Sequence, residues 1–217
     1  MVGSFNLAKY ETSNAQYASF LNANQVPADG MWNGKRLINS ESKDLQVEFQ
    51  DGVWKSKKRK EHFPMVMVSY YGAKAFCEWA RGSLPTEAEW IYAAKGGIKS
   101  KKFLYSGGNN LGKLAWYKGN CNAQLHAVGQ KTPNELGIYD MSGNVWEWCL
   151  NEKLTNESDS CIHMGGSWFT DQQPCQILSR YGNTPTHFSN SVGYRVKYQI
   201  PALGDYKGVP FSDSYIS

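Results

Sequence analysis

The chain has 217 residues, of which 41% are hydrophobic and 14% aromatic, and its formal net charge is +4. This length is enough for a sizeable core, and because no linker divides residues 1–217 we expect a single domain. The small charge, concentrated at residues 55–60, is typical of a solvated loop, so no nucleic acid partner is expected. No apolar run could span a membrane, and residues 1–5 lack the pattern of a signal peptide.

The N-terminal segment predicts a strand followed by a helix. Residues 5–11 alternate between apolar and polar side chains, as a half-buried strand does. Ser13 and Gln16 have the spacing of a capping box, in which each side chain binds the backbone N–H of the other residue. We therefore expect a helix over residues 15–22.

Residues 30–61 predict an exposed β-hairpin arm. Two short segments, 45–49 and 53–55, read as strands, and Asp51 and Gly52 between them form a dipeptide favoured in tight hairpin turns. The position of the basic run in this segment agrees with an arm in solvent.

Two further helices are predicted in the middle of the chain. Apolar residues at helical spacing follow Ser69, and Gly82 ends that pattern. Thr86 and Glu89 form a second capping box, so a short helix is expected over residues 87–95.

The second half of the chain is rich in glycine, asparagine and aromatic residues. Short strands are predicted at 115–117, 127–129, 164–168 and 193–198. The whole pattern predicts an α+β fold that is loop-rich, with two to three helices and short antiparallel strands.

Cysteine and histidine spacing indicates no metal cluster. The cysteines form no C-x-x-C pair, and their odd number leaves the redox compartment open. The histidines are equally scattered. These residues are Cys77, Cys121, Cys149, Cys161, Cys175, His62, His126, His163 and His187.

The most unusual stretch is residues 165–196. It is bordered by Gly-Gly-Ser-Trp at 165–168 and by Gly-Tyr-Arg-Val at 193–196. The residues between these borders follow neither the two-residue period of a strand nor a helical stripe. Something other than core packing selects them.

Five motifs together carry a family resemblance. They lie at residues 10–17, 84–90, 134–148, 165–168 and 193–196, in this order. They closely resemble the formylglycine-generating enzyme (sulfatase-modifying factor) family. The resemblance covers about residues 5–197 and implies a C-type-lectin-like fold, which leaves residues 198–217 as a C-terminal extension.

The resemblance does not settle whether the chain is an enzyme, because one fold supports several functions. The copper-dependent oxidase of this family requires two cysteines five residues apart after the Gly-Gly-Ser motif. Here Thr170 takes the first position and Cys175 the second, and a hydroxyl is no thiolate ligand for copper. No enzyme and no copper are expected, and the sulfatase-modifying oxidase is kept as the alternative.

Calcium is one of two interpretations of residues 140–147. In the family a hard cation at this loop is held by backbone carbonyls and a carboxylate, which implies the ligands Asp140, Gly143, Val145 and Glu147. The other interpretation is structural: Trp146 and Trp148 are core residues, and Asn144 serves an unusual turn. The structural interpretation is favoured, and a calcium ion would stiffen the loop without taking part in chemistry.

The chain most resembles the variable proteins of diversity-generating retroelements. Those systems randomise adenines, so that an asparagine codon can change to many codons but never to one for Trp, Met, Lys, Glu or Gln. None of the first four residue types occurs between Trp168 and Gly193. The glutamines at 172, 173 and 176 would be unmutated scaffold.

This resemblance implies a ligand-binding surface within residues 165–196, with a protein or glycan partner on a cell or virus surface and display of the chain on a virion or cell. Arg195 is expected to bind carbonyls or a carboxylate, not ligand. The expected contact residues combine aromatic anchors with polar groups, as paratopes do. They are Phe169, Thr170, Asp171, Leu178, Ser179, Tyr181, Thr186, His187, Phe188, Ser189 and Asn190.

Overall fold

A computed structural model describes residues 3–199 and the backbone of residues 215–216, so most of the predicted extension 198–217 lies outside the described residues. The helices are α1 (Asn14–Ala23), α2 (Tyr70–Trp79), α3 (Glu87–Ala94) and α4 (Leu111–Leu114), with 3-10 turns at Gly97–Lys99 and Gln173–Cys175. Among the described residues, no helix is long and apolar enough to cross a membrane.

The strands are short and form two larger sheets and two hairpins. The strands are β1 (Phe5–Ala8), β2 (Met31–Trp32), β3 (Lys35–Arg36), β4 (Val47–Gln50), β5 (Val53–Ser56), β6 (Trp146–Trp148), β7 (Cys161–Met164), β8 (Arg180–Asn183), β9 (Val192–Gly193), β10 (Lys197–Gln199) and β11 (Tyr215–Ile216). One sheet has the order β8-β7-β6-β9, in which only β6 and β9 are parallel, and the other has the order β10-β1-β11.

Both predicted capping boxes are confirmed. At the start of α1, Ser13 N donates to Gln16 Oε1 (2.9 Å) and Gln16 N donates to Ser13 Oγ (3.4 Å). At the start of α3, Thr86 and Glu89 make the same reciprocal bonds at 2.8 and 3.3 Å. Because these bonds satisfy N–H groups that the first helical turn leaves free, the two helices begin where the sequence places them.

The predicted hairpin is present as β4 and β5, but it is not an exposed arm. Its turn residues Asp51 and Gly52 have positive φ angles of 54° and 80°, as a tight hairpin turn requires. Val47 and Trp54 are buried, and the Trp54 indole donates to Val26 O at 2.8 Å. Alternate side chains of the hairpin face opposite sides, and one side packs on α1.

Several predicted strands differ from those observed. No strand forms at 115–117 or 127–129; at the first, Tyr117 N donates to the Asn120 side chain (2.9 Å) and closes a turn instead. A strand was predicted at 164–168, but only Met164 of these residues lies in a strand. It is the last residue of β7, and two glycines with positive φ follow it. The segment 193–198 is divided between β9 and β10.

Aromatic side chains form the centre of the main core. Tyr17 stacks on Phe76 with ring centroids 5.7 Å apart, and Tyr194 packs edge-on against both rings. A second buried cluster surrounds Trp90 of α3. Large rings in tilted and edge-on contact stabilise the irregular backbone that regular elements do not reach.

Candidate ligand-binding surface

Three of the predicted contact residues are large apolar side chains that face solvent. Phe169 is 67% exposed, Leu178 is 64% exposed and Tyr181 is 61% exposed. Polar Asp171 and Thr186 are exposed as well. Exposed apolar side chains gathered within one short segment are typical of interaction sites.

Phe169 lies on a support that the sequence does not reveal. Its ring packs edge-on against Trp168 with centroids 5.4 Å apart, and the Trp168 indole donates to Asn190 O at 3.0 Å. The Asn190 side chain in turn donates to Asp44 Oδ2 at 3.1 Å. The two ends of the 169–190 segment are therefore joined through one indole ring and tied to a distant loop.

Tyr181 lies on the edge strand β8, over buried rings. Its ring centroid is 5.6 Å from that of His163 and 6.3 Å from that of Trp146. Trp146 N donates to Ser191 O at 2.8 Å, directly beside Asn190. Tyr181 and Phe169 thus rest on neighbouring parts of one frame, which consists of the buried or half-buried residues Trp146, Glu147, Trp148, His163, Trp168 and Arg195.

His163 beneath Tyr181 is an uncharged, buried residue. Asn183 Nδ2 and His163 Nε2 are 3.0 Å apart, and His163 Nδ1 is buried with no hydrogen-bond partner. Burial, with a smaller contribution from nearby His187, lowers the pKa of His163 to about 3. A neutral ring therefore supports Tyr181 across the physiological pH range.

Two predicted contact residues use their hydroxyl groups in hydrogen bonds to the protein's own backbone. Ser167 N donates to Thr170 Oγ1 (2.9 Å), whose hydroxyl donates to Ser167 O (3.0 Å). The Ser179 hydroxyl donates to Gln173 O at 2.8 Å. Thr170 and Ser179 hold turns of the segment, whereas Asp171 faces solvent 3.8 Å from Lys118 Nζ.

Residues 187–190 are more buried than expected. Phe188 was expected to be an exposed aromatic anchor, but it is partly buried and packs against the main core. His187 is half-buried, and the Ser189 hydroxyl lies 2.9 Å from that of Ser191. The backbone also holds this loop against the core, since Met67 N donates to Ser189 O at 2.8 Å.

The position of the family's cysteine pair is visible in the structure. Thr170 Oγ1 and Cys175 Sγ are 3.7 Å apart, so the two positions are neighbours. Cys175 is fully buried, and burial raises the pKa of its thiol to about 11. Gly166 (φ 74°) packs so closely that a Cβ there would lie 2.7 Å from Cys175 Sγ. A neutral, enclosed thiol is a poor nucleophile and a poor copper ligand.

Asn144 serves the unusual turn that the structural interpretation predicted. Its backbone is left-handed (φ 56°), and its side-chain amide donates to Glu11 Oε2 at 2.6 Å. Asn144 N donates to Trp116 O at 2.7 Å. Trp146 and Trp148 on either side of Glu147 are buried, as expected of core residues.

Glu147 and Arg195 form a fully buried ion pair at the centre of the frame. Arg195 donates to both Glu147 oxygens at 2.6 and 2.7 Å, and the Trp90 indole adds a bond of 2.7 Å. Arg195 also donates to Ala8 O (3.0 Å) and Tyr139 O (2.9 Å). The prediction that Arg195 binds carbonyls and a carboxylate is confirmed.

Asp140 and Glu11 place two further buried carboxyl groups near this pair. Gly129 N donates to Asp140 Oδ2 at 2.6 Å, while Asp140 Oδ1 is buried without a hydrogen-bond partner. Burial raises the pKa of Asp140 to about 6, and burial with the nearby carboxylates Asp140 and Glu147 raises that of Glu11 well above its usual range. Three buried carboxyl groups thus surround one guanidinium, that of Arg195.

The predicted calcium ligands fit an ion unequally. Asp140 offers a free oxygen, which suits a hard cation, and Gly143 and Val145 lie in the loop beside it. Glu147 is already bound by Arg195. No cluster of three or more His, Cys, Asp or Glu side chains is placed to hold a metal within the described residues, so this set depends on backbone carbonyls.

The surface includes residues that the sequence interpretation missed. Asp44 and Lys118 contact the segment from other loops, and Leu104, which is 47% exposed, accepts a bond from Ile177 N beside Leu178 (3.1 Å). No periodicity or motif marks these positions, since their role depends on contacts between residues far apart in the chain.

The architecture and the placement of the 165–196 region define an α+β protein with the C-type-lectin-like fold of the formylglycine-generating enzyme type. A model of the sulfatase-modifying factor enzyme 1-like domain matches residues 1–200. The chain therefore belongs to this family.

Curated relatives place the chain within this family. It is 34% identical over 155 residues to an inactive C-alpha-formylglycine-generating enzyme 2 of Bos taurus, covering 64% of this chain and 51% of that protein. It is 43% identical over 114 residues to the chaperone protein LppX of Paenibacillus barcinonensis, covering 43% and 41% of the two chains. The chain spans about half the length or less of these relatives.

Solved structures show the same fold at low sequence identity. CarF is 22% identical with a TM-score of 0.72, covering 92% of this chain and 88% of its own. The Treponema denticola variable protein 1 is 21% identical with a TM-score of 0.64, covering 89% and 84%. The Major Tropism Determinant I1 variant is 15% identical with a TM-score of 0.52, covering 90% and 50%.

Proposed function

We propose that this chain is a non-catalytic ligand-binding protein of a diversity-generating retroelement. Its 165–196 region would recognise a protein or glycan on a cell or virus surface. The observation that carries the proposal is the exposure of Phe169, Leu178 and Tyr181 on a buried frame. Aromatic and apolar side chains of this kind are the usual anchors of binding surfaces.

The frame explains how such a surface could vary. Phe169, Leu178 and Tyr181 expose most of their area, so their replacement removes little buried apolar surface. The Glu147–Arg195 ion pair, in contrast, is entirely buried. Changes at the exposed positions would alter binding while the core contacts that determine stability remain.

The retroelement assignment is tested by sequencing the coding region of residues 140–196 in a growing population of the source cells or phage. Substitutions should concentrate at the codons of exposed residues such as Phe169 and Tyr181, and should spare the Glu147 and Arg195 codons. A neighbouring template that differs only at adenines is the matching expectation. Substitutions spread evenly over the region, with no such template, would contradict the proposal.

Binding itself is tested with the triple variant Phe169→Ser, Leu178→Ser, Tyr181→Ser. Attachment to the cells or virions that the parent protein binds should be lost, while the melting temperature stays nearly unchanged. The control replaces Phe49 and Val53, exposed residues of the β4–β5 hairpin, with serine and should bind normally. Equal attachment of the triple variant would place the binding surface elsewhere.

The alternative function is a sulfatase-modifying oxidase, favoured by the adjacency of Thr170 and Cys175. Its assay combines the protein with a cysteine-containing sulfatase peptide, copper and reductant, and measures peptide mass. We expect no aldehyde from the natural chain. The variant Thr170→Cys tests whether the missing thiol alone accounts for inactivity, and aldehyde formed by the natural chain would overturn the non-catalytic proposal.

Calcium binding at the 140–147 loop remains a separate proposal. The support is the unpartnered Asp140 oxygen and the excess of buried carboxyl groups. Asp140 with the carbonyls of Gly143 and Val145 would hold the ion, and Glu147 would contribute charge. Calcium should raise the melting temperature of the natural chain and of the turn variant Asp51→Asn, but not of Asp140→Asn. An equal shift in Asp140→Asn, or none in the natural chain, would contradict it.

A further inference from the structure

The turn after α3 exposes an apolar side chain among unpaired positive charges. Ile98 is 90% exposed, more than Phe169 or any other large apolar side chain in the part of the chain that the structure describes. Residues 95–102, called the Ile98 turn below, contain four lysines and no acidic residue. We propose that the Ile98 turn docks on the surface of an anionic lipid bilayer, with Ile98 among the head groups and the lysines against their negative charges.

Hydrogen bonds fix the backbone that carries Ile98. Gly96 N donates to Ala93 O (3.0 Å) at the end of α3, and Lys99 N donates to Gly96 O (2.9 Å). Gly96 and Gly97 have φ angles of 87° and 57°, which turn the chain sharply at little steric cost. Ile98 therefore projects from a defined turn, and its exposure does not depend on an unstructured loop.

Tyr92 extends the apolar part of this surface. It is 39% exposed, and a Cβ on Gly97 would lie 3.4 Å from its ring, so the ring lies beside the residue that precedes Ile98. Tyrosine is common at the level of lipid head groups, because its ring is apolar and its hydroxyl is polar. Tyr92 and Ile98 thus offer neighbouring apolar side chains to a bilayer surface.

The lysines of the turn lack counter-charges. Among residues 3–199, none of their ammonium groups forms an ion pair, and all four side chains are exposed. Glu135 packs against the turn, since a Cβ on Gly96 would lie 2.7 Å from its buried Oε2, but it offsets at most one charge. The acidic residues of α3 lie in its first turn, at the opposite end of the helix. The turn therefore keeps a net positive charge, which anionic head groups attract. The four lysines are Lys95, Lys99, Lys101 and Lys102.

The chemistry of the turn suits a lipid surface better than a protein partner. Lysine is depleted from protein interfaces, and such interfaces require a closely complementary partner surface. A fluid bilayer requires no such fit, since lipids rearrange around a protruding side chain, and basic residues beside apolar ones are typical of segments at the membrane interface. A second copy of the chain is unsuitable, because two such turns facing each other would repel.

The direct test is flotation of the protein with lipid vesicles. At about 0.1 M salt, at least about tenfold more protein should float with vesicles of phosphatidylglycerol and phosphatidylcholine in equal parts than with phosphatidylcholine alone. Salt at about 0.5 M should release the protein, because it screens the charges. Equal flotation with both kinds of vesicle, or none with the anionic ones, would overturn the proposal. Retention on immobilised polyglutamate without flotation would identify an acidic polypeptide as the partner and would overturn it as well.

A charge variant locates the binding to the Ile98 turn. Changing its four lysines to glutamine should reduce flotation at least about tenfold. The matched control removes the same number of charges from the other basic run and should reduce flotation by less than about twofold. Its changes are Lys55→Gln, Lys57→Gln, Lys58→Gln and Arg59→Gln. Equal reductions by the two variants would mean that binding follows net charge alone, and would overturn the proposal.

Variants of Ile98 test the apolar contact. Ile98→Ser should reduce flotation several-fold without lowering the melting temperature, because the side chain is exposed, and Ile98→Trp should increase it. Val53→Ser, at another exposed apolar position, is the control and should float normally. The triple variant Phe169→Ser, Leu178→Ser, Tyr181→Ser should also float normally, which separates this surface from the proposed function. Unchanged flotation of Ile98→Ser would overturn the proposal.

Discussion

The buried frame and the 165–196 region use aromatic and polar side chains in opposite ways. Trp148 is fully buried, whereas Phe169 is 67% exposed. The Glu147 carboxylate accepts three bonds from Arg195 and Trp90, whereas the Asp171 carboxylate faces solvent. We infer from this difference that the buried contacts contribute more to the stability of the fold than the exposed side chains do.

The largest effect is expected from the frame. Replacing Arg195 with Met leaves Glu147 as a buried charge without its partner, which should lower the free energy of unfolding by about 3–5 kcal/mol. Denaturant unfolding measures the loss. The exposed ion pair of Lys74 and Glu78 is the control, and Lys74→Met should change stability by less than about 1 kcal/mol. Equal losses would mean that the frame does not determine stability.

His163 gives the frame a dependence on pH. Because burial lowers the pKa of His163 from 6.5 to about 3, only the unfolded chain takes up a proton there as the pH falls below 6.5. His163 should therefore lower the stability on acidification by up to about 1.4 kcal/mol per pH unit, whereas Asp140, whose pKa is raised to about 6, acts in the opposite direction.

The variant His163→Gln isolates this contribution. Removing the contribution of His163 should make the unfolding free energy fall less on acidification between pH 6.5 and 4 than it does in the natural chain, by up to about 1.4 kcal/mol per pH unit, measured by denaturant unfolding at each pH. The control is Gln172→Ala, a change at an exposed residue that does not titrate, and it should leave the slope unaltered. An unchanged slope in His163→Gln would show that His163 does not remain neutral in the folded protein.

Replacing Thr170 should lower the free energy of unfolding by less than a change in the frame and by more than a change at the exposed positions. Thr170→Val removes the acceptor of the buried Ser167 N–H and should reduce the free energy of unfolding by about 1–3 kcal/mol. The exposed Thr186 serves as the control, since Thr186→Val should change it by less than about 0.5 kcal/mol. A neutral Thr170→Val would return Thr170 to the set of candidate ligand contacts.

The smallest effect on stability is expected at the exposed apolar positions. Phe169→Ser, Leu178→Ser and Tyr181→Ser should each change the free energy of unfolding by less than about 0.5 kcal/mol. Phe188→Ser should cost at least about 1 kcal/mol, because Phe188 packs against the core. Thermal or denaturant unfolding of the four variants distinguishes the outcomes, and equal losses would show that the exposed rings also support the core.

Local signals in the sequence predicted local structure. The Ser13–Gln16 and Thr86–Glu89 pairs determine helix starts because their bonds lie within one turn of chain. Asp51 and Gly52 predicted the hairpin turn for the same reason. Its packing on α1 was not predictable, since the burial of Trp54 depends on α1, which lies far away in sequence.

The candidate surface was predictable in extent but not in detail. The absence of periodicity identified residues 169–190, yet β8 lies within them, because an edge strand takes its backbone bonds from β7 whatever its side-chain pattern. Phe169 and Phe188 are chemically identical, and their opposite burial depends on Trp168 and on the main core. Only the folded chain distinguishes them.

The central claim is that the exposed positions can vary while the frame cannot. Two displayed libraries test it most directly. One places asparagine codons with randomised adenines at Phe169, Asp171, Leu178, Tyr181 and Thr186. The other places the same codons at an equal number of buried frame positions. The fraction of members that resist protease is then measured. We expect most members of the first library and almost none of the second to remain folded. Similar survival of the two libraries would contradict it.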